Sequence, residues 1–438
     1  MESATESRES KGWEKAFAAA SRTQAPSAIF LSEVVVKESM SRIYNSSGTS
    51  DQVTDEQGAI CANPDRAGRF YAVGVTEAFR DQDKVFASAF GGLEQAIRAR
   101  TFPGASVAVT VCGKLVALKA FGRFTYESDS VPISTETIFD LASLTKVIAT
   151  TTMAMILYER GQLDLEAPVT GILPEFASED PRRSEVTFRM LLAHSSGLPA
   201  YEKLFLQAAT QESLLGAAFK LSLKYSPGSH AEYSDIGFIL LGVALERIAG
   251  ETIDGFCQRE IFGRLGMTHT SFHPPPSYRE KIPPTADDKT FRKRIIQGEV
   301  QDENASVLGG VAPHAGLFST SSNIATFAEC MLTGGSPILR PETIALFTTR
   351  ESSPAGTSRA LGWDTPSAPS QSGNHFSRTS FGHLGYTGTS LWIDQARQLS
   401  VTLLTNRTWP DCSNQHIKQV RPRFHDAVVE AIERVGKL

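Results

Sequence analysis

The sequence predicts an α+β fold: an antiparallel sheet of roughly five strands, flanked by helices and interrupted by an inserted, mainly helical lobe. Three observations predict it. Strand-turn-strand patterns occur twice, near residues 105–121 and 388–405. A helical pattern precedes the first and another follows the second. The long stretch between them, to about residue 300, reads as helix and irregular loop.

In chain order, Val85, Phe86, Ala89, Phe90, Leu93 and Ile97 recur at helical spacing. Ala105 to Val111 and Leu115 to Phe121 read as strands around the turn Cys112-Gly113-Lys114. Lys146 to Arg160 carries apolar or small residues on every face, so it is a buried helix, with Gly161 as its stop. Ile236 to Ile248 is a second strongly apolar helix, ended by Gly250. Ser352 to Ser380, rich in Ser, Pro and Gly, reads mainly as loop. Gly388 to Ile393 and Leu399 to Thr405 form the second hairpin, and Phe424 to Val435 closes the chain as a helix.

The simplest packing joins both hairpins in one sheet. The first and last helices cover one face, and the buried helix after Ser143 covers the other. This places an α/β lobe at about 81–140 and 320–438 and a helical lobe at about 141–319, with a cleft between them as the natural place for a site. Residues 1–80, poor in periodicity, form an N-terminal appendage that is partly disordered.

Bulk properties exclude several classes of function. The 438 residues carry a net charge of -5 spread along the chain, with no basic patch for nucleic acid. No apolar run is long enough for a membrane span. The nine His and five Cys include no His-Glu-x-x-His and no Cys-x-x-Cys, so no metal site is expected. Cys61, Cys112, Cys257, Cys330 and Cys412 are expected to be free thiols, mostly buried. The N-terminus lacks a basic segment followed by an apolar one. The sequence as it stands therefore reads as cytoplasmic, or as periplasmic or secreted if its start is misassigned or processed. The partner expected is a small-molecule or peptide substrate; the oligomeric state is not legible.

Three short motifs carry chemistry. Ser143-Leu144-Thr145-Lys146 places a hydroxyl and an amine on one helical face. A serine hydroxyl needs a nearby base, and a lysine serves if burial or a neighbouring cation lowers its pKa. Ser143 would also meet the helix N-terminus, where amides favour developing negative charge. Tyr233-Ser234-Asp235 opens the second apolar helix, and a tyrosine hydroxyl there can relay a proton to a leaving group. His383-Leu384-Gly385-Tyr386-Thr387-Gly388 leads into a strand, where a donor on the strand edge lets a substrate backbone pair alongside and Gly385 permits close approach. Each motif alone has a plainer alternative: a capping serine with a solvated lysine, an N-cap Asp235 beside a packed tyrosine, or a turn with a surface histidine.

In this order the motifs resemble the serine β-lactamase and penicillin-binding-protein superfamily, in its class-C-like branch. Phe139 to Lys146 is similar to that branch's nucleophile segment, and Leu191 to Pro199 to its Leu-Leu-x-His-x-Ser-Gly-Leu-Pro loop. Leu361 to Asp364 and Gly309 to Thr320 also resemble it, so the likeness runs from about Asp83 to the C-terminus. The resemblance implies a β-lactamase/transpeptidase-like fold and acyl transfer through Ser143, with Lys146 and Tyr233 sharing the proton work. It also implies an oxyanion hole from the backbone N–H groups of Ser143 and Tyr386, substrate contacts from Asp235, His383, Gly385 and Thr387, and no cofactor.

Three departures bear on substrate. Asp235 stands where Asn is commoner, and an ionised carboxylate cannot donate to a substrate carbonyl. His383 replaces Lys, and Leu384 replaces a Thr, so carboxylate recognition loses a fixed cation and a hydroxyl, with Thr387 or Thr389 as candidate replacements. The expectation is a hydrolase of small esters or D-amino-acid peptides and poor hydrolysis of β-lactams. The alternatives are a true β-lactamase and a non-catalytic penicillin-binding sensor.

Overall fold

The structure is a computed structural model that describes residues 81–436. The appendage expected over residues 1–80 lies outside the described residues.

Helix α1 (Ala87–Arg98) leads into the hairpin β1 (Gly104–Val111) and β2 (Lys114–Gly122). A π-helical turn, Lys146–Thr151, runs without a break into α2 (Thr152–Glu159). Helices α3 (Asp235–Ala249) and α4 (Ser321–Leu332) follow. The chain then returns to strands β3 (Phe381–Leu384), β4 (Ser390–Asp394) and β5 (Leu399–Thr405), and ends in α5 (Ile417–Gly436).

The two hairpins do join: one five-stranded sheet has the order β2-β1-β5-β4-β3. The seam is antiparallel, with Val107 opposite Leu403 and Val109 opposite Val401. Side chains alternate across it as the pleat requires. Val107, Val109, Trp392, Val401 and Leu403 meet one core shared with Leu93 and Phe90 of α1 and Val428 of α5. On the opposite face, Ala108 packs with Leu115 and Ala325, and the Ser106 and Ser321 hydroxyls are 2.7 Å apart.

That second face corrects one expectation. It is covered by α4, while α2 packs against α3 and Pro341–Thr348. Small residues on α4 and on β1 let helix and strand approach closely, and α2, apolar all round, is buried among other helices instead. A second correction is β3. Phe381–Leu384, which no sequence pattern assigned, is a strand, and it pairs with β4 from Phe381 opposite Ile393 to Leu384 opposite Ser390. A third concerns the cysteines. Cys257, Cys330 and Cys412 are free, the last of them exposed, but Cys112 is disulfide-bonded. No helix among the described residues is long and apolar enough to cross a membrane.

Candidate active site

Ser143 is set by a tight turn. Strand Phe139–Asp140 pairs with Phe318–Ser319, and the chain then bends at Ala142, whose φ is +48°. A left-handed non-glycine residue costs about 1 kcal/mol, so its surroundings must hold it. Asp140 does so: Oδ1 accepts the Ala142 N–H at 2.8 Å and Oδ2 the Gln301 N–H at 2.7 Å. Burial pushes the Asp140 carboxyl up to about 6. Thr145 ties the turn further, donating to the Ala142 carbonyl at 2.6 Å and accepting the Leu317 N–H at 3.1 Å.

Ser143, Lys146, Tyr233 and Asp235 converge. The Ser143 Oγ accepts from the Tyr233 hydroxyl at 2.8 Å and from Lys146 Nζ at 3.1 Å. Lys146 is fully buried, and two more oxygens surround its Nζ: the His314 carbonyl at 2.9 Å and Asp235 Oδ1 at 2.6 Å. Burial opposes the lysine charge, but the Asp235 carboxylate, helped by Tyr233, outweighs it and lifts the Lys146 pKa above its usual value. Lys146 therefore rests as an ammonium. The neutral lysine expected from burial is not the resting state, because Asp235 supplies a counter-charge. Burial, reinforced by Asp235, pushes the Tyr233 phenol up to about 12.

Asp235 has a different task from the two expected of it. The N-cap of α3 is Ser234, whose Oγ accepts the Gly237 N–H at 2.9 Å. This leaves the Asp235 carboxylate free to face Lys146 rather than a substrate. His194 anchors the same segment: its Nδ1 accepts the Ser234 N–H at 3.0 Å, and its ring lies 4.7 Å from that of Tyr233.

The third motif falls partly on the cleft and partly behind it. His383 on β3 is buried, its ring 5.9 Å from Tyr233, and its Nδ1 donates to the Leu384 carbonyl at 2.8 Å. Burial and the charges of Lys146 and Arg359 push its pKa well below the usual imidazole range, so it is neutral and supplies no cation. Thr387 is not a substrate contact: it is fully buried and donates to the Asp140 carbonyl at 2.8 Å. Thr389 donates likewise to the Leu141 carbonyl at 2.9 Å. Gly385 permits a close approach, but of the protein to itself, since a Cβ there would collide with the Leu141 carbonyl and Thr389 Oγ1. All three bind the β3–β4 turn to the segment just before Ser143. Among the described residues, the Ser143 and Tyr386 amides donate to no protein group.

One residue with no motif signature completes the site. The Arg359 guanidinium lies 5.4 Å from the Tyr233 ring centroid and 3.7 Å from Asp364, and makes no hydrogen bond among the described residues. Asp364 Oδ1 is already engaged by the Ser358 hydroxyl at 2.7 Å. Arg359 thus presents unspent guanidinium donors beside Tyr233. Among the described residues no cluster of three His, Cys, Asp or Glu could hold a metal.

A family model described as Beta-lactamase matches residues 90–420. The chain belongs to the β-lactamase family. Its relatives include an N-acetylmuramyl-L-alanine amidase of Bacillus subtilis (strain 168), 32% identical over 70% of this chain and 77% of the relative. A putative D-alanyl-D-alanine carboxypeptidase of Escherichia coli (strain K12) is 31% identical over 70% and 79%. Among solved structures, EstCE1, a hydrolase with promiscuous acyltransferase activity, superposes with a TM-score of 0.66 at 24% identity, covering 79% of this chain and 99% of its own. A class C β-lactamase from Rhodobacter sphaeroides gives 0.63 at 23%, covering 79% and 99%. This β-lactamase-family chain is a serine hydrolase with the fold that its sequence predicts.

Proposed function

We propose that this hydrolase cleaves an amide or ester bond of a small, carboxylate-bearing substrate through an acyl-enzyme on Ser143. The observation that carries the reading is the Ser143 Oγ held at 2.8 Å by Tyr233 and 3.1 Å by Lys146. Protons must balance from an ammonium resting state. Asp235 takes a proton from Lys146, and the freed amine takes the proton of Ser143 as Oγ attacks the carbonyl carbon. The tetrahedral oxyanion lies against the Ser143 and Tyr386 amides, each such donor contributing about 3 kcal/mol. On collapse Tyr233 gives its phenolic proton to the leaving group and regains one from Lys146, which Asp235 reprotonates. Water repeats the sequence to release the acyl group.

Arg359 supports the carboxylate. The fixed cation missing at position 383 is replaced by one on the chain before β3. The names of the amidase and carboxypeptidase relatives support cell-wall peptides as the source of such a group. The disulfide at Cys112 supports an oxidising, exported location.

Wild type and S143A should be given an aryl acetate, a D-alanyl-D-alanine peptide, a muramyl-L-alanine peptide and a penicillin. The reading expects turnover of a peptide or muramyl substrate by wild type alone, with R359A losing at least 10-fold in kcat/KM on that substrate but not on the uncharged ester. Equal activity of S143A, or equal loss by R359A on charged and uncharged substrates, contradicts it.

A further inference from the structure

Two buried arginines stand behind the β3–β4 turn without a carboxylate partner among the described residues. Arg407 and Arg421 are only 4% and 5% exposed. Arg421 Nη2 donates to the Gly385 carbonyl at 2.6 Å and to the Thr389 carbonyl at 2.9 Å, and its Nε to the Gly388 carbonyl at 3.3 Å. Arg407 Nε donates to the Tyr386 carbonyl at 2.7 Å. The remaining carbonyl of the turn, Thr387, accepts the Arg407 N–H at 2.9 Å and the Thr405 hydroxyl at 3.0 Å. Every carbonyl from Gly385 to Thr389 is therefore engaged from behind.

The peptide plane converts this into an orientation of donors. The Gly385 carbonyl and the Tyr386 N–H belong to one trans peptide and point in opposite directions. Arg421 at 2.6 Å, with the Gly388 N–H at 3.1 Å, holds that carbonyl, so the Tyr386 N–H faces away from Arg421, and it has no protein acceptor among the described residues. The other side of the turn is fixed by Thr387 and Thr389 on the Asp140 and Leu141 carbonyls, just before Ser143. Neutral amide side chains could satisfy carbonyls at a smaller desolvation cost than buried guanidinium groups. A charged donor acts more strongly than they can. It polarises the peptide it holds and strengthens the N–H on the far side.

We infer that Arg421, seconded by Arg407, is the positioning residue of the oxyanion hole: it fixes the Gly385–Tyr386 peptide and sharpens the Tyr386 N–H as a donor to the developing oxyanion. This rests on the reading of Ser143 as nucleophile. The role is carried through the peptide; Arg421 itself touches no reacting atom.

The test compares wild type, S143A, R421M and R421K for steady-state kinetics and for inhibition by phenylboronic acid. Boron forms a bond to the Ser143 oxygen, the serine proton passes to the catalytic base, and the tetrahedral boronate lays one oxygen where the oxyanion would sit. The expected result is a fall of about 100-fold in kcat for R421M with KM changed less than 3-fold, and a matching loss of boronate affinity. R421K, keeping the charge but not the fork, should fall between the two. If R421M does not fold, R421K carries the test alone, with its melting temperature showing that the fold persists. A folded Arg421 variant with unchanged kcat and boronate affinity overturns the inference, as does a loss confined to KM. An active S143A, or a wild type indifferent to boronate, instead removes the nucleophile reading beneath it.

Discussion

At the scale of single residues, the site is defined by which oxygen each proton faces. Lys146 keeps its charge because Asp235 sits 2.6 Å from Nζ. D235N removes the larger of the two groups that raise the Lys146 pKa, leaving Tyr233 to oppose burial, and burial lowers a lysine pKa. The variant should therefore lose at least 10-fold in kcat/KM near pH 6 and recover as pH rises and Lys146 gives up its proton. The wild-type profile should show no such rise. Y233F should lose about 100-fold or more in kcat, read on a substrate with a poor leaving group, where protonation matters most. Ser143, Lys146 and Tyr233 were singled out by their local motifs, and the fold brings their side chains within hydrogen-bond reach. Asp235 was legible as a site residue but not in its role, since only the fold reveals that Ser234 takes the cap and leaves the carboxylate to Lys146. Arg359, Arg407 and Arg421 were not legible: an isolated arginine has no spacing signature, and their significance comes from what the tertiary structure puts beside them.

At the scale of elements, the active site is two turns fastened to each other. Thr387 and Thr389 reach from the β3–β4 turn to the carbonyls just ahead of Ser143. T387V should leave the Asp140 carbonyl unpaired, destabilise the protein by about 1–3 kcal/mol, and lower kcat more than it raises KM. Denaturant melts alongside kinetics would show both effects. The Asp140 carboxyl gives a pH signature. Its pKa is raised from 3.8 to about 6 in the fold, so its contribution to stability is present in full below 3.8 and is lost as pH rises through 6. The shift corresponds to about 3 kcal/mol. Activity should run the other way, because a protonated carboxyl cannot accept equally from the Ala142 and Gln301 amides. Between pH 7 and 5 the melting temperature and kcat should therefore respond to Asp140 in opposite senses. The turn was readable in the sequence as His-x-Gly, but β3 was not. Phe-Gly-His-Leu is short, contains a glycine, and follows a Ser- and Pro-rich loop, so nothing local marks it as a strand until β4 pairs with it.

At the scale of the whole molecule, the sheet closes between distant parts of the chain, β1 against β5. Two well-separated hairpins, each with clear alternation, sufficed to predict this, because an antiparallel sheet with helices on both faces is the compact way to bury them. Which helix covers which face was less legible: α2 and α4 are both rich in apolar and small residues, and only packing assigns α4 to the sheet. Leu93 of α1 lies in the core on the far face of the sheet, where it makes no contact with the turn that Arg421 holds. L93A, in the core of that layer, should destabilise the protein by about 2–5 kcal/mol while leaving kcat unchanged at temperatures where it remains folded. The central claim, covalent catalysis by Ser143, is tested most directly by acid-quenching the enzyme during turnover of an aryl ester and weighing the intact protein. The account expects a mass increase of one acyl group, mapped to the peptide containing Ser143 and absent from S143A. An adduct on another residue, or steady turnover by S143A, would contradict it.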